Sequence, residues 1–339
     1  MTNFSELTTL HVGGPAQSVI RATTEAELIS AVQAADEAGV ELLIIGGGSN
    51  LLVGDQGFDG MVIIVETSGN SYEIDACSGG MLQVSAGVNW DEFVAFTIEK
   101  QLANLESMSG IPGTVGGAPI QNIGAYGHEV SEVIARVRTY DRLTKAIKTF
   151  TADQCEFSYR DSIFKRSEGR YVILDVTFHL RRGEFSLPVK YKELADLLGV
   201  DIDARVSTTA LRAAVLTLRE RKGMLYDNAH KNWSAGSFFI NPIISQEQAL
   251  KLPEDAPRWP QLDGSVKTSA AWLMERAGVL KGEKVNGAKI SDQHVLALTN
   301  TGDATAEDII QLARLARTRV VEKFGITLVP EVRFVGIEL

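Results

Sequence analysis

Two glycine-rich stretches of this chain have the composition of backbone that closes around a charged ligand. The first is Gly46-Gly47-Gly48-Ser49-Asn50-Leu51, directly after the apolar run Glu41–Ile45. Three successive glycines carry no Cβ and accept positive φ, so consecutive N–H groups can turn into one concavity and hold an anion. Ser49 and Asn50 add side-chain donors. The second stretch is Ser109-Gly110-Ile111-Pro112-Gly113-Thr114-Val115-Gly116-Gly117-Ala118, continuing to Asn122, Gly124, Ala125, Tyr126 and Gly127, with six glycines in 19 residues. It is too loose for a packed element and too apolar for a disordered linker. Loops of this length inside a compact domain are usually functional. Neither stretch reads Gly-x-Gly-x-x-Gly between a strand and a helix, so a Rossmann dinucleotide site is not supported. Taken alone, the first reads equally well as a turn between two strands.

The elements that must hold these loops are legible in the hydrophobic spacing. Thr24 and Glu27 form a capping-box pattern, Leu28, Ala31, Val32 and Ala35 recur at helical spacing, and Gly39 suits the C-cap. The runs 41–45 and 61–65 have strand length. Residues 71–180 carry β-type runs at 82–86, 133–140 and 171–180, with helical material near 91–101. A boundary near 184 is expected where Arg181-Arg182-Gly183-Glu184 ends a strand-like run. Ser207 caps a predicted helix in which Ala210, Leu211, Ala214, Val215 and Leu218 share a face, and a polar loop follows at 223–234. The last third predicts a helix near 268–277, a β-run at 294–299, a long helix over about 305–324 closed by Gly325, and a final strand at 331–337.

Composition bounds the function classes. The chain has 339 residues, enough for two or three domains, with 45% hydrophobic and 22% charged residues. A formal net charge of −10 gives no bulk attraction to nucleic acid or anionic membrane, so a phosphate-bearing ligand needs local donors. Cys77 and Cys155 lie far apart in no metal-like spacing; no metal site and no disulfide are expected, and a cytoplasmic setting fits. The start lacks the pattern of a signal peptide, and no apolar run spans a bilayer. The lack of an anchor favours a soluble monomer.

Gly46–Leu52, Gly110-Ile-Pro-Gly-Thr-Val-Gly-Gly117 and Gly124-Ala-Tyr-Gly127 resemble the cofactor-binding signatures of the UDP-N-acetylenolpyruvoylglucosamine reductase (MurB) family. Three further segments match it in order: Ser158–Lys165, Ala235–Pro242 and Pro330–Phe334. The resemblance covers nearly the whole chain. It implies an α+β fold: a two-domain FAD-binding module of the p-cresol methylhydroxylase and vanillyl-alcohol oxidase type, plus a smaller substrate-binding C-terminal domain. The implied division is 1–70 and 71–220 for the flavin, with a substrate loop at 184–206, and 221–325 for the substrate, residues 326–339 returning to the first domain. FAD is then held non-covalently by the two loops, with Ile173 as a further contact. His128, after the second signature, is read as a surface or capping histidine and not as a covalent flavin attachment.

The reaction so implied passes a hydride from NADPH through the flavin to the enolpyruvyl C3 of a UDP-sugar. Negative charge then develops at C2 and its carboxylate. Arg160 fits the stabilising role, because a guanidinium grips a carboxylate through two parallel N–H bonds. Glu331 fits a second polarising group, protonated so that it can donate. Ser237 fits the acid that protonates C2, with Lys222 as the cation that steadies its deprotonated form. Tyr159, Tyr191, Lys222, Asn241 and His294 match substrate-contact positions. Gly223-Met224 stands where Leu-Pro is common in the family, which bears on where Lys222 is placed.

Each residue alone has a plainer reading. Arg160 beside Asp161 reads as a surface ion pair, Ser237 as a small residue between Gly236 and Phe238, and Glu331 as part of a solvated strand face. Tyr191 and Lys222 fit solvated surface positions, Asn241 an Asn-Pro turn, and His294 a satisfied core histidine. Two other functions compete: a flavin oxidase of the same superfamily acting on a sugar or alcohol, and a flavin-binding protein without catalysis.

Overall fold

The computed structural model describes residues 2–75, 79–226 and 232–339. Cys77 and the centre of the 223–234 loop lie outside them. The fold is α+β and the chain forms two compact units. One comprises residues 17–47 and 59–221; the other comprises 1–16, 48–58 and 222–339.

In the first unit, the helix Glu25–Ala38 begins where the capping box places it. Thr24 Oγ1 accepts from Glu27 N–H, and Gly39 closes the helix with φ 63°. Its buried stripe is Leu28, Ala31, Val32 and Ala35. The strand Leu42–Ile45 that follows pairs in parallel with Phe58–Val65. An antiparallel sheet runs in the order Ala146–Thr151, Ile134–Asp141, Tyr171–Arg182, Gly79–Ser85, Asn70–Asp75. The long strand Tyr171–Arg182 is nearly continuous in apolar residues over its first half, and it is buried from Val172 to Val176. Trp90, Phe93 and Phe178 meet in the core beneath it. A satellite core joins Val189, Leu194 and Ala195 to Leu211, Val215 and Leu218 of the helix Thr208–Arg221.

In the second unit, the strands Trp233–Ser237, Ala297–Asn300, Ala288–Ile290 and Lys284–Val285 form an antiparallel sheet. The helix Ala306–Phe324, capped by Thr305 and closed by Gly325, buries Ile309, Leu312, Ala313, Ala316 and Val320. The helix expected near 268–277 runs Ala270–Arg276 from an N-cap at Ser269. The final strand is shorter than its pattern: only Arg333–Val335 pairs, in parallel, with Leu51–Val53. That partner strand is itself three residues long, so the ladder ends there. Among the described residues no helix is long and apolar enough to cross a membrane, and no cluster of His, Cys, Asp or Glu is placed to hold a metal ion. Cys155 is a free, buried thiol whose pKa burial pushes up to about 12.

Candidate active site

The second glycine loop is fixed by charged side chains. Gly110 has φ 72°. Its N–H donates to Asp91 Oδ1 at 2.6 Å, and its carbonyl accepts from Arg219 Nε at 3.1 Å. Asp91 in turn accepts from Arg212 Nη1 and Nη2, at 2.6 and 2.8 Å. Burial would raise the Asp91 carboxyl, but the Arg212 and Gly110 hydrogen bonds outweigh it and the pKa falls below its usual value. Arg219 is only 7% exposed, and burial lowers its pKa. The anchoring roles of Asp91, Arg212 and Arg219 emerge only from the fold. Arg212 and Arg219 are seven apart on one helix, two turns along the same face, which was the available signal.

The two glycine stretches approach each other backbone to backbone. A Cβ on Gly47 would stand 3.0 Å from Gly113 Cα, and one on Gly46 would meet Thr114 Oγ1 at 2.3 Å. Gly117, by contrast, faces open space: its nearest such neighbour is Thr114 Oγ1 at 3.9 Å. A bare-backbone cradle with an open side fits a bulky phosphate-bearing cofactor such as FAD. Ser109 is fully buried with its hydroxyl on Glu106 O, and Ile111, Pro112 and Gly113 are half-buried. Ala118 and Ile173 are buried in the core of this unit. Gly46 and Gly47 belong to this unit, whereas Gly48, Ser49, Asn50 and Leu51 belong to the other.

Arg160 sits at φ 56° with Nη2 on Gly124 O at 2.8 Å and Nη1 on Asn122 O at 3.5 Å. Its guanidinium lies 5.4 Å from the Tyr159 ring. Asp161 pairs with Arg166, which goes against the plainer reading of Arg160 as half of a surface pair with Asp161; Arg160 is attached to the glycine loop. Asn122, fully buried, donates from Nδ2 to Glu129 Oε2 at 2.8 Å and Ser158 O at 3.0 Å, and accepts from Ser131 N–H at 3.1 Å. Gly124 and Ala125 pair with Glu129 and His128. Tyr126, at φ 51°, is desolvated enough to raise its pKa to about 12, and Tyr191 meets its ring edge-on at 5.9 Å. Gly127 is exposed. His128 is not a surface residue: it is 5% exposed, held by Glu132 and Pro188 O.

The other unit gathers Ser237, His294, Glu331 and Asn50. Ser237 ends the strand Trp233–Ser237, and its Oγ lies 3.4 Å from His294 Nε2. Phe238 N–H donates to Leu296 O, and Glu331 N–H donates to Phe238 O at 2.8 Å. Glu331 is thereby tied to the residue after Ser237. Asn50 Nδ2 donates to Glu331 O at 3.2 Å, and Arg333 N–H donates to Asn50 O at 3.1 Å. Thr9 Oγ1 donates to Ser49 O at 3.5 Å. Asn241 Oδ1 accepts from Ala270 N–H at 3.0 Å, at the start of the helix Ala270–Arg276. Lys222 is half-buried just after the helix Thr208–Arg221. The departure at Gly223 has a steric reason: it adopts φ 62°, and a Cβ there would stand 2.1 Å from Gln293 Oε1.

Comparison with known proteins accounts for both loops. Residues 16–149 match the FAD binding domain, and residues 227–335 match the UDP-N-acetylenolpyruvoylglucosamine reductase C-terminal domain. A relative named UDP-N-acetylenolpyruvoylglucosamine reductase from Cutibacterium acnes is 53% identical, over 97% of this chain and 88% of the relative. One of the same name from Streptomyces coelicolor is 47% identical, over 98% and 89%. The crystal structure of UDP-N-acetylenolpyruvylglucosamine reductase (MurB) from Thermus caldophilus superposes with a TM-score of 0.69 at 26% identity, covering 98% of this chain and 97% of that one. On fold, loops and relatedness together, the chain belongs to the UDP-N-acetylenolpyruvoylglucosamine reductase family of FAD-dependent oxidoreductases.

Proposed function

We propose that this enzyme uses NADPH to reduce UDP-N-acetyl-3-O-(1-carboxyvinyl)-glucosamine to UDP-N-acetylmuramate, a step of peptidoglycan precursor synthesis. Held by the two glycine loops, FAD would supply the two-electron hydride chemistry that links NADPH to the enolpyruvyl C3. Arg160 holds the substrate carboxylate on which charge develops, and the Gly124 carbonyl orients its guanidinium. Ser237 delivers the proton to C2. His294, at 3.4 Å from its Oγ, orients that hydroxyl. Glu331, protonated, donates a hydrogen bond as the charge builds. Lys222 steadies the deprotonated serine, and Tyr159, Tyr191, Asn241 and His294 contact the sugar nucleotide.

In this reading residues 1–70 and 71–220 hold the flavin, and 221–325 hold the substrate. The pairing of Arg333–Val335 with Leu51–Val53 supports the return of 326–339 to the first domain. We place the enzyme in the cytoplasm as a monomer, which gel filtration tests.

The observation that carries the reading is the close backbone tie between Ser237, Phe238 and Glu331 beside His294. A flavoprotein without catalysis has no need of a serine hydroxyl beside a histidine at this place. The test is anaerobic. NADPH should bleach the flavin absorbance of the purified protein, and the enolpyruvyl UDP-sugar should restore it. Restoration by oxygen alone would favour the oxidase reading and end this one.

A further inference from the structure

The segment around Tyr191 folds on itself. Ser186 N–H donates to Val206 O, Val189 N–H to Ala204 O and Asp203 N–H to Val189 O, and the segment has its own small core against the helix Thr208–Arg221. It is tied to the end of the second glycine loop, where Tyr126 packs against that core. Tyr191 meets Tyr126 edge-on, Lys190 Nζ reaches Gly127 O at 3.5 Å, and His128 Nε2 lies 3.1 Å from Pro188 O. The His128 side chain in the last tie is buried. On the other side of the ring, His128 Nδ1 lies 2.9 Å from Glu132 Oε2. Both partners are acceptors, a carboxylate and a peptide carbonyl. Each ring nitrogen thus lies within hydrogen-bond distance of one acceptor. Burial would raise the Glu132 carboxyl, but its hydrogen bonds from His128 and Glu129 N–H prevail and keep it ionised.

We infer that His128 is a positioning residue. Held by Glu132, it latches the Tyr191 segment to the cofactor loop and so sets substrate affinity without touching the substrate. The inference rests on the proposal that Tyr191 contacts the sugar nucleotide.

The variants are His128→Leu, Glu132→Gln and, as a conservative rescue, His128→Gln, whose amide still donates to Pro188 O. Lys190 and Lys192 are exposed, so trypsin cleavage there reports the latch directly. In flavin-loaded His128→Leu, cleavage at these lysines should accelerate several-fold in the absence of substrate. KM for the enolpyruvyl UDP-sugar should rise about tenfold, the scale of one charge-assisted hydrogen bond. Flavin content and kcat should stay at the parent level. Glu132→Gln should move both readouts the same way, and His128→Gln should restore part of each. Unchanged cleavage in His128→Leu would overturn the latch. So would a KM rise accompanied by equal losses of flavin and melting temperature, which mark general damage. Tyr191→Phe separates the two ideas. If it leaves KM unchanged, the reading of Tyr191 as a substrate contact fails, while the cleavage assay still decides the latch.

Discussion

The loop that begins at Gly110 and the stretch that ends at Glu331 are held by different means. Gly110 is gripped at both ends of its peptide groups by charged side chains, Asp91 and Arg219, from two helices. Glu331 is held at its own backbone: its N–H donates to Phe238 O, and its carbonyl accepts from Asn50 Nδ2. The difference follows from what each must do. A loop with no ladder of its own has to borrow anchors, and charged hydrogen bonds are the strong ones. A residue held through its own N–H and carbonyl takes its position from the surrounding fold. The first region should therefore fail through cofactor retention, and the second through the chemical step.

The largest effect should come from the second region. Ser237→Ala should leave flavin reduction by NADPH intact and slow reoxidation by the enolpyruvyl substrate by about 10²- to 10⁴-fold, the range for a lost general acid. Stopped-flow measurement of the two half-reactions reads this directly, and unchanged reoxidation would remove Ser237 from the acid role. Next comes Arg160→Lys, which keeps the charge but loses the forked donor; kcat should fall about 10²-fold. A fall matched by flavin loss would shift Arg160 from substrate to loop support. Gly47→Ala puts a Cβ 3.0 Å from Gly113 Cα. Overpacking of this size should weaken FAD affinity about tenfold with little change in kcat at saturating cofactor; equilibrium dialysis measures it.

The smallest effect is on pH. The folded Asp91 pKa is depressed, so its contribution to stability is full above the usual carboxylate value of 3.8 and is lost as pH falls below it. Flavin should therefore dissociate in acid as the Gly110 anchor is protonated. Asp91→Asn should hold flavin less well at neutral pH and show a flatter acid profile. If both proteins release flavin along the same curve, the Asp91 anchor does not govern the loop.

The local grammar of the chain was readable in advance. Thr24, Glu27 and Gly39 bound one helix, and Gly325 closes another, because caps are written within four residues of what they cap. The glycine loops were readable for the same reason. What escaped were pairings across distance. Asp91 meets Gly110 and Arg212, and His128 meets Pro188 sixty residues on. Each is a charged or polar residue with nothing in its neighbourhood to set it apart from a solvated one. The final strand was overread because alternation at Glu331–Ile337 signals a face, and only a partner of equal length turns a face into a ladder.

The pairing of Asn50 with Glu331 also sets an order of events in time. The two residues are 281 positions apart. At roughly 5–20 residues per second of synthesis, Asn50 waits roughly a quarter of a minute to a minute for its partner. The unit built from 17–47 and 59–221 is meanwhile complete. The nascent protein thus passes through a stage with one finished body and a short strand, Leu51–Val53, whose edge has no mate. In that interval a ribosome stalled before Arg333 would leave the edge of Leu51–Val53 unpaired and open to pairing with another chain.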